Sequence, residues 1–256
     1  MRLSAIQLKA RPGGKKQTVA HALALMDKAR GSDLLLLPEL WPTGYFSFSQ
    51  YQTDAETLNG PLLRALRQKA SSLKAFIFTG SFLERRGRKL FNTSVLIDSK
   101  GKIIACYRKI HLFGFHSEEQ RLLTRGTKIA VVKTPWGKMG LSTCYDLRFP
   151  EFYRKMVDQG AEIFLVASAW PASRREAWTL FNRARAHENL AYLFSCNASG
   201  LSGGKRLCGQ SMVVDPFGKV VAQAGAREEL LTVEVDTKNV AVARKIFPAL
   251  KDRIFK

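Results

Sequence analysis

Cysteine and histidine are both scarce in this 256-residue sequence, which contains only four of each. The histidines lie scattered among the cysteines, so no pattern typical of a zinc site is present. The cysteines form neither a Cys-x-x-Cys pair nor the spacing of a disulfide scaffold; they are Cys106, Cys144, Cys196 and Cys208. We therefore expect free thiols, no metal, and a protein of the reducing cytoplasm.

Acidic residues are also few, since 21 Asp and Glu stand against 41 Lys and Arg and give a net charge of +20. Nucleic-acid binding is one explanation of such a charge, and salt-dependent retention of DNA would support it. The basic residues, however, are spread from Lys9 to Lys256 without a long basic block or an aromatic-studded RNA-binding motif. We expect no nucleic-acid partner, and a solvated basic surface that attracts anionic substrates over long range.

Long apolar runs are absent, and no segment approaches the length needed to cross a membrane. The first residues, MRLSAIQL, lack the apolar core of a signal peptide and are typical of a first strand. No linker or low-complexity stretch divides the chain. These absences predict a single domain over residues 1–256, with no membrane partner and with a basic C-terminal tail over 240–256.

Short apolar segments alternate with amphipathic ones, which favours an α/β fold of two layered sheets with helices outside them. Residues 114–126 and the glycine-rich 199–204 are expected to be loops, and 11–14 a turn. The expected helices cover 16–30, 61–69 and 176–188, with another beginning near Pro150. The expected strands cover 3–8, 34–37, 75–82, 91–97, 102–107, 129–133, 139–143, 163–167, 190–196, 212–214, 220–223 and 230–235.

Cys144 lies where one predicted strand ends and a helix is about to begin. Residues 139–143 are mostly apolar and end in a β-branched residue, whereas Pro150 suits the first turn of a helix. A side chain at such a corner is held by rigid elements, yet it is exposed beside backbone N–H groups that can bind an anion. A nucleophile is expected at such a place, although most free cysteines are small buried hydrophobes.

Two further reactive residues follow predicted strands. Glu39 comes after four leucines and a proline, where a carboxylate is costly to bury without a partner, and Lys109 follows a predicted hairpin. Taken singly, the glutamate can point into solvent and the lysine can be an ordinary surface residue. A papain-like pairing of Cys144 with His111 or His187 is another alternative, but no Cys-Gly-Ser-Cys segment is present.

The segments around these three residues resemble the three catalytic motifs of the nitrilase superfamily, the carbon–nitrogen hydrolases. They read LPELWPTGY (37–45), YRKIHLF (107–113) and CYDLRFPE (144–151). The resemblance covers essentially the whole chain, because RARAHEN (183–189) and GQSMVVDPFG (209–218) belong to it as well. It implies a four-layer αββα sandwich and a homodimer, and gives no role to a metal or organic cofactor.

The same resemblance implies a catalytic triad of Glu39, Lys109 and Cys144. Glu39 is expected to act as general base and acid, while Lys109 and the backbone N–H of Tyr145 are expected to bind the oxyanion. The family places a second glutamate in the loop after the lysine, and its spacing to Gly126 selects Glu119. The implied product of the first half-reaction is an acyl-thioester on Cys144.

For the substrate, SAWP (168–171) and CYDLRFPE most resemble the bacterial omega-amidase-type branch. That branch hydrolyses the terminal amide of 2-oxo acids such as 2-oxoglutaramate. Nitrilases and N-carbamoyl amino acid amidohydrolases share the triad, so both remain alternatives. We expect an acyl pocket walled by aromatic residues, among them Trp41, Tyr45 and Trp170.

An omega-amide acid also requires a cation for its far carboxylate, and the fork of arginine matches a carboxylate best. Arg148 and Arg174 are the candidates, and Arg174 is preferred because Arg148 can instead pair with Asp146 or Glu151. The expected homodimer is assigned to the helix after Cys144 and to the basic tail. The helix carries more large residues than a solvated helix would, namely Phe149, Phe152, Tyr153 and Met156.

Overall fold

The computed structural model describes residues 1–10 and 14–254 of the chain. The strands are β1 Arg2–Gln7, β2 Lys9–Ala10, β3 Leu34–Leu36, β4 Phe76–Phe78, β5 Phe82–Arg86, β6 Lys89–Ile97, β7 Ile103–Arg108, β8 Val131–Thr134, β9 Gly137–Thr143, β10 Ile163–Ser168, β11 Tyr192–Asn197, β12 Ser199–Ser202, β13 Lys205–Cys208, β14 Met212–Val214, β15 Val220–Gln223 and β16 Glu229–Glu234. The α-helices are α1 Lys15–Lys28, α2 Tyr51–Asp54, α3 Pro61–Leu73, α4 Glu119–Leu122, α5 Pro150–Asp158, α6 Arg175–His187 and α7 Asn239–Ile246. Short 3-10 helices cover Phe48–Gln50, Cys144–Arg148 and Ala172–Arg174.

Two large sheets form the centre of the molecule. The first has the order β16-β1-β3-β4-β6-β5, with β7 also paired to β6, and the second has the order β15-β14-β11-β10-β9-β8. Parallel pairing of β1, β3 and β4, and of β9, β10 and β11, follows from the helices that connect these strands. A small third sheet has the order β13-β12-β2.

The two large sheets pack face to face, and helices cover both outer faces. The central core joins Leu3 and Leu36 of the first sheet to Leu141 of the second, all of them buried. Helices α1 and α3 cover the first sheet, while the Tyr153 ring of α5 packs edge-on against Phe164 of the second at 4.9 Å between centroids. The expected αββα sandwich is confirmed, and it explains why β3 and β10 are apolar on both faces.

Four local expectations differ from the structure. The loop expected over 114–126 contains the short helix α4, Glu119–Leu122. The strand expected over 75–82 is two strands, β4 and β5, because the chain turns at Gly80 with φ +62°. The loop expected over 199–204 is wrong, since residues 199–208 form the hairpin of β12 and β13. The tail expected over 240–256 begins with helix α7.

Two other expectations concern residues that are partly outside the described chain or side chains whose packing differs from the expected one. Of the turn expected at 11–14, only Gly14 is among the described residues, and the last two residues of the tail also lie outside them. The large residues of α5, including Phe152 and Met156, pack into the core of the same chain, so they give no argument for a dimer. No helix among the described residues is both long enough and apolar enough to cross a bilayer.

Candidate active site

Cys144 occupies a strained turn between β9 and the 3-10 helix Cys144–Arg148. Its φ is +46°, a left-handed conformation that costs a non-glycine residue about 1–3 kcal/mol and is concentrated at functional sites. The turn is fixed by Asp146, a fully buried carboxylate that accepts hydrogen bonds from the Thr143 N–H at 2.8 Å and the Tyr107 hydroxyl at 2.6 Å. The half-buried Cys144 side chain is thereby presented by rigid elements at the end of a strand.

Glu39 connects the two sheets. It follows β3 of the first sheet, and its N–H donates to the Ser168 carbonyl at the end of β10, at 3.2 Å. Its Oε2 accepts the Ala169 N–H at 3.1 Å, and its Oε1 accepts Lys109 Nζ at 2.8 Å. The carboxylate is therefore buried only where both sheets supply donors to it.

Lys109 and Glu119 complete a buried cluster of charges. Lys109 follows β7 and its Nζ lies 3.0 Å from both carboxylate oxygens of Glu119, the first residue of α4. Glu119 also accepts the Tyr45 hydroxyl at 3.1 Å and the Phe113 N–H at 2.7 Å. Its neighbour Glu118 is half-exposed and pairs with Arg121, so the structure brings Glu119 and not Glu118 into the site.

Asn92 is a member of this cluster that the sequence analysis missed. It lies inside β6, and its Nδ2 donates to Oε1 of Glu39 at 2.9 Å and to Oε1 of Glu119 at 3.0 Å. A sequence signal was present, because asparagine is depleted in strands and Asn92 begins a run of three polar residues in one. All three are buried.

A small pocket of about 30 Å³ opens beside Cys144. Its wall includes the predicted Tyr45, Tyr145, Trp170, Arg148 and Arg174; the remaining lining residues are Phe46, Phe113, Ala169 and Pro171. Trp41 does not line this pocket: it packs into the core beneath α1 and α3 and lines a neighbouring cavity together with Glu39.

The two pocket arginines lie against aromatic rings. The Arg148 guanidinium carbon is 5.4 Å from the Trp170 ring centroid, and that of Arg174 is 5.1 Å from the Phe113 centroid. Neither arginine forms an ion pair with a carboxylate of the described residues, and Asp146 pairs with His111 instead of Arg148. Both guanidinium groups thus keep their charge available at the pocket.

The match to a family model decides the class of this protein. The carbon–nitrogen hydrolase model matches residues 2–245, which include every residue of the cluster. The chain belongs to the carbon–nitrogen hydrolase family. The resemblance found in its sequence is confirmed, and with it the expected class of reaction, hydrolysis of carbon–nitrogen bonds other than peptide bonds.

Individual carbon–nitrogen hydrolases resemble the chain over nearly its full length. The 2-oxoglutaramate amidase of Paenarthrobacter nicotinovorans is 36% identical over 230 residues, which are 87% of this chain and 78% of the relative. The crystal structure of Nit3 from Saccharomyces cerevisiae superposes with a TM-score of 0.91 at 30% identity, covering 100% of this chain and 97% of Nit3. A glutamate-to-glutamine variant of an amidase from Nesterenkonia sp. superposes with a TM-score of 0.87 at 26% identity, over 99% and 94% of the two chains. In that variant the acetamide moiety of fluoroacetamide is covalently added at the active-site cysteine.

Burial sets the protonation of the cluster in this carbon–nitrogen hydrolase. Burial, and then the charge of Glu39, raises the pKa of the Cys144 thiol well above its ordinary value. Burial also raises the pKa of Glu39, although Lys109 opposes this. For Lys109, burial lowers the pKa, but the charges of Glu119 and Glu39 outweigh it and hold the pKa well above the ordinary value. The arrangement is a neutral thiol beside a carboxylate and a permanently charged ammonium.

The two donors expected for an oxyanion, Lys109 and the Tyr145 N–H, have different surroundings. Lys109 Nζ is fixed by its carboxylates, and the N–H of Tyr145 lies in the first turn of a 3-10 helix, where backbone N–H groups have no partner within the helix. Among the described residues, no group of three or more His, Cys, Asp or Glu side chains has the arrangement of a metal site.

Proposed function

We propose that this carbon–nitrogen hydrolase releases ammonia from the terminal amide of a small 2-oxo carboxylic acid, through a thioester on Cys144. The observation that carries the proposal is the buried pair of Glu39 and Lys109 next to the half-buried Cys144. The pocket at Cys144 also holds two arginines that have no carboxylate partner among the described residues. The curated relatives support the substrate class, since several are 2-oxoglutaramate amidases or omega-amidases.

The first step is the transfer of the Cys144 proton to Glu39. Because the pKa of the buried thiol is raised, the resting group is protonated and requires a base. The raised pKa of Glu39 makes its carboxylate a better base at neutral pH. Sγ then attacks the amide carbon while the carbonyl π electrons move to oxygen.

The second step is the collapse of the tetrahedral intermediate. Lys109 Nζ and the Tyr145 N–H donate to the oxyanion, and each such donor contributes a factor of about 10²–10³ in rate. Glu39 then returns its proton to the nitrogen, the C–N bond breaks, and ammonia leaves. Glu119 holds Lys109 in place for this role through its two 3.0 Å contacts.

Hydrolysis of the thioester closes the cycle. Glu39 takes a proton from water, the resulting hydroxide attacks the acyl carbon, and the C–S bond breaks. The leaving thiolate recovers its proton from Glu39. One amide and one water therefore yield one carboxylic acid and one ammonia, and the enzyme returns to its initial protonation.

The acyl pocket supports a short substrate with a distal carboxylate. Its aromatic walls exclude water from the thioester, and a cavity of about 30 Å³ leaves little room beside Cys144. We assign Arg174 to the carboxylate of the substrate, because it lies at the pocket with no carboxylate of the described chain as a partner. Arg148 lies among the rings of Tyr145, Trp170 and Phe181 and shapes the wall.

Ammonia release from a substrate panel tests the proposal. The panel contains 2-oxoglutaramate, glutamine, a neutral amide of the same length, the corresponding nitrile and an N-carbamoyl amino acid. We expect the highest kcat/KM with 2-oxoglutaramate. A preference for the nitrile or for the carbamoyl compound would assign the protein to one of the other branches, and no release from any compound would reject the proposal.

We also propose a homodimer that works in the cytoplasm. The support for a dimer is the exposure of large apolar side chains on two faces, with Leu180 of α6 63% exposed and Ile246 of α7 69% exposed. The support for the cytoplasm is that all four cysteines are free.

A further inference from the structure

Within the described part of the chain, Asn92 is the one uncharged side chain that donates to both carboxylates of the cluster. Its side chain is buried and comes from the middle of β6, a strand whose neighbours on either side fix its position. Its two amide hydrogens serve Glu39 Oε1 and Glu119 Oε1, at 2.9 and 3.0 Å. It therefore bridges the expected general base and the glutamate that holds Lys109.

The orientation of this amide is determined by the groups around it. Asn92 Oδ1 is buried and has no hydrogen-bond partner among the described residues. Turning the amide over would place that oxygen against two carboxylate oxygens and would leave each of them with Lys109 Nζ as its donor and without the amide. Leaving Oδ1 buried without a partner is costly. The side chain keeps this orientation because its two donor bonds to the carboxylates hold it in place.

Counting lone pairs distinguishes the two oxygens of Glu39. Oε1 accepts from both Lys109 Nζ and Asn92 Nδ2, and these two donors occupy its two lone pairs. Among the described residues, Oε2 accepts a backbone hydrogen bond from the Ala169 N–H alone, at 3.1 Å, and keeps one lone pair for a proton. The two oxygens of the same carboxylate therefore have different capacities.

We propose that Asn92 is a positioning residue that, together with Lys109, closes Oε1 of Glu39 to protons and makes Oε2 the atom that exchanges the proton with Cys144. The Sγ–H bond breaks, the Oε2–H bond forms, and the electron pair stays on sulfur for the attack. The same oxygen later gives this proton to the leaving nitrogen. This inference rests on the proposed function for its substrate, but not for its proton transfer.

The titratable groups that surround Glu39 define what a pH profile reports. They are Lys109 and Glu119, which share hydrogen bonds with Asn92 or Glu39, the Cys144 thiol, and the Tyr45 and Tyr51 hydroxyl groups. The pKa of each tyrosine is raised by burial above 10, so neither titrates near neutral pH. A limb on the acidic side therefore reports protonation of the carboxylates.

The rate at which iodoacetamide alkylates Cys144 at different pH values measures the protonation of Glu39 without a substrate. The rate falls on the acidic side when Glu39 is protonated, because the carboxylate then cannot accept the thiol proton. Replacing Asn92 removes a donor that stabilises the charged carboxylate, so the pKa of Glu39 rises. In Asn92→Leu we expect the midpoint to move upward by about one pH unit, and kcat for 2-oxoglutaramate to fall at least about tenfold at pH 7.

A matched control separates this role from loss of packing. Asn182 is also fully buried and donates a single hydrogen bond, to the Trp178 carbonyl within α6. Asn182→Leu should lower the melting temperature yet leave the midpoint for Cys144 unchanged. Should Asn92→Leu fail to fold, Asn92→Ser provides one hydroxyl donor for two carboxylates, and its midpoint should lie between those of the wild type and the expected leucine variant.

An unchanged midpoint in a folded Asn92 variant would overturn the proposal. The assignment of Asn92 would also be wrong if Asn182→Leu shifted the midpoint equally, since a general loosening would then explain both. Wild-type protein that releases no ammonia but shows the expected shift between variants would reject the proposed substrate and keep the role of Asn92. The two proposals therefore fail on different measurements.

Discussion

Each charged side chain of the active site depends on the others for its burial. Glu39, Lys109 and Glu119 are all essentially inaccessible to solvent, and a single buried charge of this kind would be severely destabilising. Removing one member therefore leaves its partners unpaired. Variants at this site must conserve shape as far as possible if they are to report on chemistry alone.

Cys144→Ala should reduce turnover below a hundredth of the wild-type rate, because no other thiol lies in the site. Iodoacetamide, detected by mass spectrometry, should modify Cys144 before Cys196 and Cys208, which are buried. Cys106→Ala is the control, since Cys106 is an exposed thiol that lies outside the site. Turnover that survives in Cys144→Ala would place the nucleophile elsewhere.

Glu39→Gln keeps the shape of the side chain and removes the base. Acylation and deacylation should both slow by about 10²–10⁴-fold, which single-turnover measurements resolve. Glu118→Gln is the control, because Glu118 is the chain neighbour of Glu119 but pairs with Arg121 at the surface. Near-normal activity of Glu39→Gln would show that another group accepts the thiol proton.

Arg174→Ala should raise KM for 2-oxoglutaramate much more than for a neutral amide of the same length. The reason is that a charge-assisted bond to the far carboxylate is lost, whereas the aromatic wall remains. Arg175→Ala controls for the loss of one positive charge, since Arg175 is exposed. Equal effects on both substrates would remove Arg174 from carboxylate recognition.

The sequence predicted the reactive residues better than the residues that hold them in place. Glu39, Lys109 and Cys144 each follow a strand and lie in motifs, so their convergence could be expected before the structure. Asn92 lies inside a strand with no motif around it, and only the pairing of β6 with its neighbours reveals where its amide points. Trp41 lies outside the pocket beside Cys144 because its ring packs beneath α1 and α3, a contact that the sequence does not reveal.

At the scale of elements, the turn at Gly80 supports the segment that carries Glu39. A Cβ on Gly80 would lie 2.0 Å from the Pro38 carbonyl oxygen, next to the general base. Sequence periodicity predicted a continuous strand here, because the residues on both sides of Thr79-Gly80-Ser81 are apolar. Only the approach of the Pro38 backbone explains why the strand is interrupted.

Gly80→Ala should therefore destabilise the protein by more than the conformational cost of about 1 kcal/mol, and it should also lower kcat. Gly87→Ala is a close control, since Gly87 has a similar φ of +58° but no atom within 4 Å of an added Cβ. Denaturant unfolding and kcat should both distinguish the two variants. Equal losses of stability would show that the contact with Pro38 is relieved without cost.

At the scale of the whole molecule, we expect sedimentation to show a dimer at micromolar concentration. The apolar face of α5 is used inside the chain, so Leu180→Glu on α6 and Ile246→Glu on α7 identify which exposed face is covered. The variant at the interface should sediment as a monomer, and the other should not. A wild-type protein that is only monomeric would contradict the expectation.

The overall fold was more predictable than the ends of its elements and its peripheral hairpin. The order of strands and helices indicated two layered sheets, because apolar periodicity survives even where the ends of elements shift by a few residues. The hairpin of β12 and β13 was missed since its glycines resemble a loop, and its pairing with β2 is a contact between distant parts of the chain.

The pairing of the first strand with the last has a consequence for biosynthesis. β1 lies between β3 and β16 in the first sheet, with Arg2 opposite Glu234. A ribosome adds about 5–20 residues per second, so β1 emerges roughly ten seconds or more before its second neighbour exists. During that interval the nascent chain exposes an open sheet edge, the kind of surface on which chains aggregate and chaperones act. The enzyme can close its first sheet only after β16, residues Glu229–Glu234, has been synthesised.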